Sequence, residues 1–193
     1  MQNIISSDCM KMKKNIIVLS GDFVHIKLLG GAAEKTSALS GIFAKVSHSA
    51  LSHIENEVWY LGKDGYAFAY MKIENQIIRI KLHQLVYALI NGKWCPKGYC
   101  VDHVNRDRLD NTNDNLRLAT PQENSFNRTK NKNSQGKFKG VKKIAENNYL
   151  VSLTRDGVKY KVSGFASEEE AAQTYDVIAL EIFGEFAALN FPK

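Results

Sequence analysis

Cys100–Arg128, CVDHVNRDRLDNTNDNLRLATPQENSFNR, decides how the functional part of this chain folds. Cys100 and Val101 lead a strand that ends on Asp102-His103. The polar excursion 104–115 follows, and its Asn and Asp side chains favour turns because they bond nearby backbone groups. Leu116-Arg117-Leu118 returns to a strand. Thr120-Pro121 then opens a helix: Thr suits the N-cap, Pro suits the first helical position, and Glu123 stands where a capping box needs it. The order strand, turn, strand, helix can bring the end of one strand to an amide on the helix.

The residue types in that order suit phosphodiester hydrolysis. Such a reaction needs a water made nucleophilic and a cation on the phosphate and the leaving oxygen. A neutral His103 is a chemically suitable base. Asp102 can give one charged oxygen to a hard divalent ion and Asn124 a second, with water and phosphate completing the shell. Adjacent strand residues point to opposite faces, so base and ligand can share a site only if the strand ends there, as the polar run from Asn105 indicates. The plainer reading is a polar turn tied by side-chain to backbone bonds. Asn105, Asp107, Asp110, Asn111, Asn113 and Asp114 are assigned to that turn and given no chemistry. Asn127 and Arg128 lie one helical turn beyond Asn124 and can meet phosphate, although Arg128 can equally be a solvated linker edge. His83 can contact a DNA backbone or be structural; His25, His48 and His53 have no motif around them and are read as structural.

Working outward, residues 15–29 read as two strands joined around Gly21-Asp22, and 30–43 as a small-residue loop. EVWYL, YAFAYMKI and QIIRI, within 57–80, read as a small antiparallel sheet, with Trp59 in its core rather than a stacking platform. Residues 82–92 switch to a helical period through Leu82, Leu85, Val86, Leu89 and Ile90, stopped by Asn91-Gly92. On the other side, 129–136 (TKNKNSQG) has little to bury and reads as a linker. FKGVKKI, YLVSLTR and KYKVSGF then read as three strands with a turn at Asp156-Gly157, followed by a helix capped by Ser167 and Gly184.

Charge adds a direction. Residues 128–162 hold ten Lys or Arg against Glu146 and Asp156, so this segment is +8 while the whole chain is +6. Such a block can steer an anionic polymer, in a salt-sensitive way, or simply be a solubilising surface. Three cysteines (Cys9, Cys95, Cys100) give no disulfide framework and no zinc spacing, which fits a reducing, intracellular (cytoplasmic) setting without structural zinc. No apolar run approaches membrane-spanning length, and the N-terminus is a poor signal peptide.

The stretch LHQLVYALINGKWCPKG, VDHVNRDRLDNTNDNLRLAT and PQENSFNR, over 82–128, resembles the HNH homing endonucleases of phages and mobile introns. The resemblance implies a ββα-metal core holding one Mg²⁺ (or Mn²⁺), with Asp102 as metal ligand, His103 as general base and Asn124 at the last metal-binding position. It implies that Asn115, the middle Asn, braces the turn and orients the base. The zinc-binding cysteine pairs of some relatives are absent.

Residues 134–192 resemble the AP2 DNA-binding domain, through FKGVKKI, SEEEAAQTYDVIALEIFGEFA and the closing Ala188-Leu189-Asn190-Phe191-Pro192. That implies a three-stranded sheet in the major groove with a helix behind it. Lys139 and Lys142 take DNA-facing positions usually Arg, and Tyr149 a usual Trp position. Ile144, Ser152, Thr154 and Lys161 depart from the common Arg, Glu, Arg and Trp. Lys lacks the bidentate fork of Arg, so phosphate-weighted binding is expected through this surface. Lys143, Arg155 and Lys159 are phosphate contacts or solvated.

The expected architecture is α+β: a β-rich region over 1–81, an HNH core over 82–128, a linker over 129–136, and a sheet packed on one helix over 137–193. The expected function is site-directed hydrolysis of double-stranded DNA by a monomer, as a mobile-element or homing nuclease. A DNA-binding regulator with an inactive HNH centre is the rival reading.

Overall fold

A computed structural model describes residues 15–30, 41–130 and 136–192. Most of the expected loop 30–43 and of the expected linker 129–136 lies outside them, as does Cys9. In chain order the strands are β1 (Ile17–Ser20), β2 (Phe23–Lys27), β3 (Phe43–Ser47), β4 (Tyr60–Leu61), β5 (Ala67–Ile73), β6 (Gln76–Lys81), β7 (Cys100–His103), β8 (Asp110–Asn111), β9 (Leu116–Ala119), β10 (Val141–Ala145), β11 (Asn148–Arg155) and β12 (Val158–Phe165). The helices are α1 (Leu51–Ile54), α2 (Leu82–Asn91), α3 (Pro121–Phe126) and α4 (Glu168–Phe183). The fold is α+β, with sheets and helices in both its N-terminal and C-terminal parts.

Two compact units divide the chain: Met1–Cys95 with Asp107–Leu116, and Pro96–Arg106 with Arg117–Lys193. Most of the polar excursion (from Asp107 on) belongs to the first unit, whereas Pro96–Arg106 before it and the chain from Arg117 on belong to the second.

In the first unit β1, β2 and β3 pair antiparallel, and β8 joins β3 in parallel through Lys45↔Asp110 and Val46↔Asn111. Alternation along β2 and β3 buries Val24, Ile26, Ala44 and Val46. Neither β3 nor β8 stands out in the sequence. The inward side chains of β3 are small or short, and β8 is an Asp-Asn pair inside a run that reads as turn. Asn111 is fully enclosed there, its Nδ2 donating 3.0 Å to Leu109 O.

A second sheet, β4-β5-β6, sends Ala67 and Ala69 into the same core, which Trp59, Ile54, Leu82 and Val86 complete. The Trp59 indole N–H donates 3.0 Å to Ile54 O, satisfying its one polar group. Helix α2 starts directly after β6 and ends at Gly92, whose φ of 65° is the left-handed conformation a helix C-terminus favours. Its buried face is Leu82, His83, Val86 and Tyr87, while Ile90 is 45% exposed. The apolar stripe expected through Leu89 and Ile90 is therefore turned, because Tyr87 buries a large ring that apolar counting had set aside.

In the second unit β7 pairs with β9 and leads into α3. Strands β10, β11 and β12 form an antiparallel sheet in sequence order. Asp156 (φ 52°) and Gly157 (φ 78°) are both left-handed, as the tight turn between β11 and β12 requires. Helix α4 lays Ala171, Ala172, Tyr175, Ala179 and Phe183 on Phe138, Val141, Val151 and Leu153. The small alanines let helix and sheet approach closely. At Gly140 (φ 72°) a Cβ would lie 2.1 Å from the Tyr175 ring, so that ring fills the space a side chain would need. The C-terminal tail is tied back by Asp176, which accepts from Asn190 N (2.7 Å) and Phe191 N (2.8 Å), and by Asn190 Oδ1, which accepts from Lys139 N (2.7 Å).

Candidate active site

Strand β7 ends on the two residues singled out by sequence, and both are enclosed: Asp102 is 6% exposed and His103 4%. Beyond His103 the backbone turns at once. Arg106 N donates 2.9 Å to His103 O, and Arg106 itself is left-handed at φ 68°. The strand therefore ends at His103.

The Asp102 carboxylate is held from two sides. Arg117, on the paired strand β9, donates Nε (3.0 Å) and Nη2 (2.9 Å) to Oδ2. Asn127, the C-cap of α3, donates Nδ2 to Oδ2 (3.0 Å), to Oδ1 (3.2 Å) and to His103 O (2.7 Å). A buried carboxylate is tolerated only when paired and hydrogen-bonded, and these two residues do both. Oδ2 takes most of the donors and Oδ1 only the longer Asn127 contact, so Oδ1 is the oxygen with remaining capacity. Arg117 is engaged further: Nη1 donates 2.7 Å to Glu185 O, and the guanidinium lies 4.0 Å from the Phe186 ring centroid.

Helix α3 carries the other half of the constellation. Its N-terminus is a reciprocal capping box, with Glu123 N donating to Thr120 Oγ1 (3.2 Å) and Thr120 N donating to Glu123 Oε2 (2.8 Å). The Thr120 backbone N–H, then its hydroxyl, hold the Glu123 carboxyl below its usual range. Asn124 and Asn127 are three residues apart and share one helix face. Asn127, on that face, reaches Asp102 and His103. The side chains of Asn111, Asn113, Asn115 and Asn127 all donate to protein groups. Among the described residues, Asn124 makes no such side-chain bond and is half-buried.

As a site for a hard divalent ion, this is a sparse donor set. No group of three or more His, Cys, Asp or Glu able to hold a metal occurs among the described residues. One carboxylate and one carboxamide are nonetheless the oxygen donors that Mg²⁺ accepts, since it keeps several waters and takes phosphate oxygens for the rest. The donor chemistry of Asp102 and Asn124 is of the kind such an ion accepts.

Other sequence-selected residues are placed differently. Asn115 belongs to the first unit, where its Nδ2 donates 2.6 Å to Asp110 O and holds the turn 110–115. Asn127 is 5% exposed and engaged with Asp102, an interior position in place of the phosphate contact expected. His83 is likewise enclosed at 5%, its ring centroid 4.8 Å from that of Tyr66. Arg128 is exposed.

Sheet register sorts the expected DNA-facing residues of the second unit. Pairings Lys142↔Leu150, Leu150↔Ser163, Ser152↔Lys161 and Thr154↔Lys159 put Lys142, Ser152, Thr154, Lys159 and Lys161 on the face away from α4. Tyr149 packs against the helix-side core instead, and Lys143 pairs with it. Arg155 Nη1 donates to Ile182 O near the α4 C-terminus, a helix end that favours a cation. Lys139 turns inward, with Nζ 2.6 Å from Phe126 O, and burial pushes its pKa down to about 8. Ile144 is exposed on β10.

Arg117 and the inward role of Asn127 are what sequence reasoning missed. The available signal was an isolated cation in the apolar strand Leu116–Ala119, beside a strand ending in Asp.

Comparison with known proteins bears on the same stretch. The family described as HNH endonuclease matches residues 81–126. A protein of Acanthamoeba polyphaga mimivirus named "Uncharacterized HNH endonuclease L560" is 43% identical over 150 residues, covering 78% of this chain and 75% of that protein. "Protein 3.8" of Escherichia phage T7 is 33% identical over 106 residues, covering 54% of this chain and 86% of that protein. No solved structure matches the chain. No helix among the described residues is long and apolar enough to cross a membrane.

Proposed function

The chain belongs to the HNH endonuclease family, and from that premise we propose that it is a divalent-metal DNA endonuclease with His103 as general base. The observation that carries this reading is the grip on the end of β7. Asn127 ties the His103 carbonyl and the Asp102 carboxylate to one end of α3, and the uncommitted Asn124 lies on the same helix face.

Asp102 and Asn124 would hold one Mg²⁺ or Mn²⁺. When bound, such an ion supplies a Lewis acid that stabilises charge on the phosphate and the departing 3′ oxygen. His103 takes the proton from the attacking water as the new O–P bond forms and the P–O3′ bond breaks, and the departing 3′ oxygen takes a proton from solvent water, leaving a 5′ phosphate and a 3′ hydroxyl. Asn127 and the turn at Arg106 fix the His103 backbone, so the imidazole needs little reorganisation to act. Arg117 orients Asp102 through its two donors to Oδ2 without touching substrate. With one such centre, a monomer cuts one strand.

The C-terminal sheet and helix are read as an AP2-like module that seats the nuclease on double-stranded DNA. Its exposed face, with Lys142, Lys159 and Lys161 among Ser152 and Thr154, has the charge for phosphate and the hydroxyls for base edges. A mobile-element or homing role belongs to the same reading.

The test is cleavage of supercoiled plasmid in Mg²⁺ or Mn²⁺. Wild-type protein is expected to produce nicked circles, chelation to abolish them, and Asp102→Asn to raise the metal concentration needed. Cutting that is indifferent to chelation would overturn the metal assignment. Tight DNA binding without cutting would favour the regulator.

A further inference from the structure

The sheet β4-β5-β6 is built inside out for a simple scaffold. Its core-facing positions on β5 are Ala67 and Ala69, both essentially unexposed. The opposite face carries the large side chains, because register aligns Tyr60↔Phe68, Phe68↔Lys81, Tyr70↔Arg79 and Lys72↔Ile77. Aromatic rings and cations alternate across that face. Tyr60 stacks on Phe68 at 5.7 Å between centroids, and Phe68 meets Tyr70 edge-on at 5.6 Å. The Arg79 guanidinium lies 3.9 Å from the Phe68 ring centroid. At the end of the sheet, Lys81 Nζ and the Arg108 guanidinium lie 4.2 and 5.0 Å from the Tyr66 centroid. Tyr70 is 58% exposed and Ile77 76%.

A face that only covered a core would bury its rings and expose short polar groups. Here three cations (Arg79, Lys81 and Arg108) lie over aromatic rings, and the register puts Lys72 on the same face. A carboxylate among them, Asp64, is held by Lys81 Nζ at 2.9 Å, with Arg79 Nη2 4.0 Å away. The Lys81 hydrogen bond keeps the Asp64 carboxyl below its usual range. Interleaved cations and aromatic faces match a duplex backbone, whose phosphates take the cations and whose sugars lie against the rings.

We propose that the outer face of β4-β5-β6 is a second DNA-binding surface, separate from the C-terminal sheet, which grips the phosphate backbone without reading sequence. The proposal rests on the DNA-endonuclease reading and adds a contact surface in the first unit.

The test is fluorescence anisotropy with a labelled mixed-sequence DNA duplex over a salt series, with thermal melts to confirm folding. Lys72→Gln/Arg79→Gln is expected to weaken binding about tenfold and to reduce the slope of log affinity against log salt by about two. Asp64→Asn, which keeps the turn-forming side chain but removes the negative charge, is expected to tighten binding and steepen the slope by about one. A purely structural role for this face predicts no gain from Asp64→Asn, so that variant decides the matter even if the double variant is destabilised. Wild-type plasmid cutting alongside unchanged duplex affinity and slope in both variants would overturn this surface alone. Failure of the wild type to bind or cut DNA would overturn it together with the function on which it rests.

Discussion

At the scale of single residues, the centre is organised around the cost of burying one carboxylate. Asp102 must be charged to hold a cation, yet it is almost fully enclosed. Arg117 offsets that cost with two donors to one oxygen, and Asn127 adds a third while fixing the His103 carbonyl. Removing the cation from such a pair strands the remaining charge. Arg117→Met is therefore expected to lower stability by about 3 kcal/mol, read from denaturant melts. Arg117→Lys should recover only part of that, because a lysine ammonium cannot reproduce the fork. A melt of Arg117→Met indistinguishable from wild type would show that Asp102 does not depend on this partner. Asp102, His103 and Asn124 stand out in the sequence as candidates because their chemistry and order are local. The jobs of Arg117 and Asn127 do not, since they depend on which strand lies beside β7 and on which face of α3 meets it.

At the scale of elements, the elements that the sequence marked best are those with explicit end signals. The Thr120-Pro121-Glu123 box, Gly92 after α2, and Asp156-Gly157 between β11 and β12 each sit where their side-chain or backbone chemistry requires. The short strands β3 and β8 lacked such signals and exist through pairing with distant partners. Close packing makes Gly140 a sensitive point. Gly140→Ala would drive a methyl into the Tyr175 ring and impose a left-handed φ on a side chain, so a loss of about 2–4 kcal/mol is expected in thermal or denaturant melts. Little or no change would mean that Tyr175 moves aside freely.

Lys139 carries an element-scale pH signature. Burial lowers its pKa from 10.5 to about 8 in the folded protein. Between those values the unfolded chain holds a proton that the folded chain has released, so this group makes stability rise as pH increases from about 8 toward 10.5. Below about pH 8 both states hold the proton, and the folded state bears the full desolvation cost. Melts of Lys139→Met across that window should lack the wild-type rise; an identical pH profile would place the lysine in water.

At the scale of the whole molecule, charge distribution was readable early: the +8 segment 128–162 supplies most of the basic face of β10–β12. What could not be read was the interleaving of two units. The segment Asp107–Leu116 leaves the second unit to pair β8 with β3 and then returns, so the motif contributes to both. Long-range pairing of two residues leaves no periodic trace in a sequence. If the C-terminal sheet seats the protein on DNA, the triple change Lys142→Gln/Lys159→Gln/Lys161→Gln should reduce the salt slope of duplex binding by about three. An unchanged slope would remove that face from the interface.

The central claim is tested most directly by comparing wild type with His103→Ala on supercoiled plasmid in Mg²⁺, with DNA affinity measured in parallel. His103→Ala is expected to bind DNA like wild type while strand cutting falls by about a hundredfold or more, the usual contribution of a general base. Cutting at the wild-type rate by a folded, DNA-bound His103→Ala protein would contradict it.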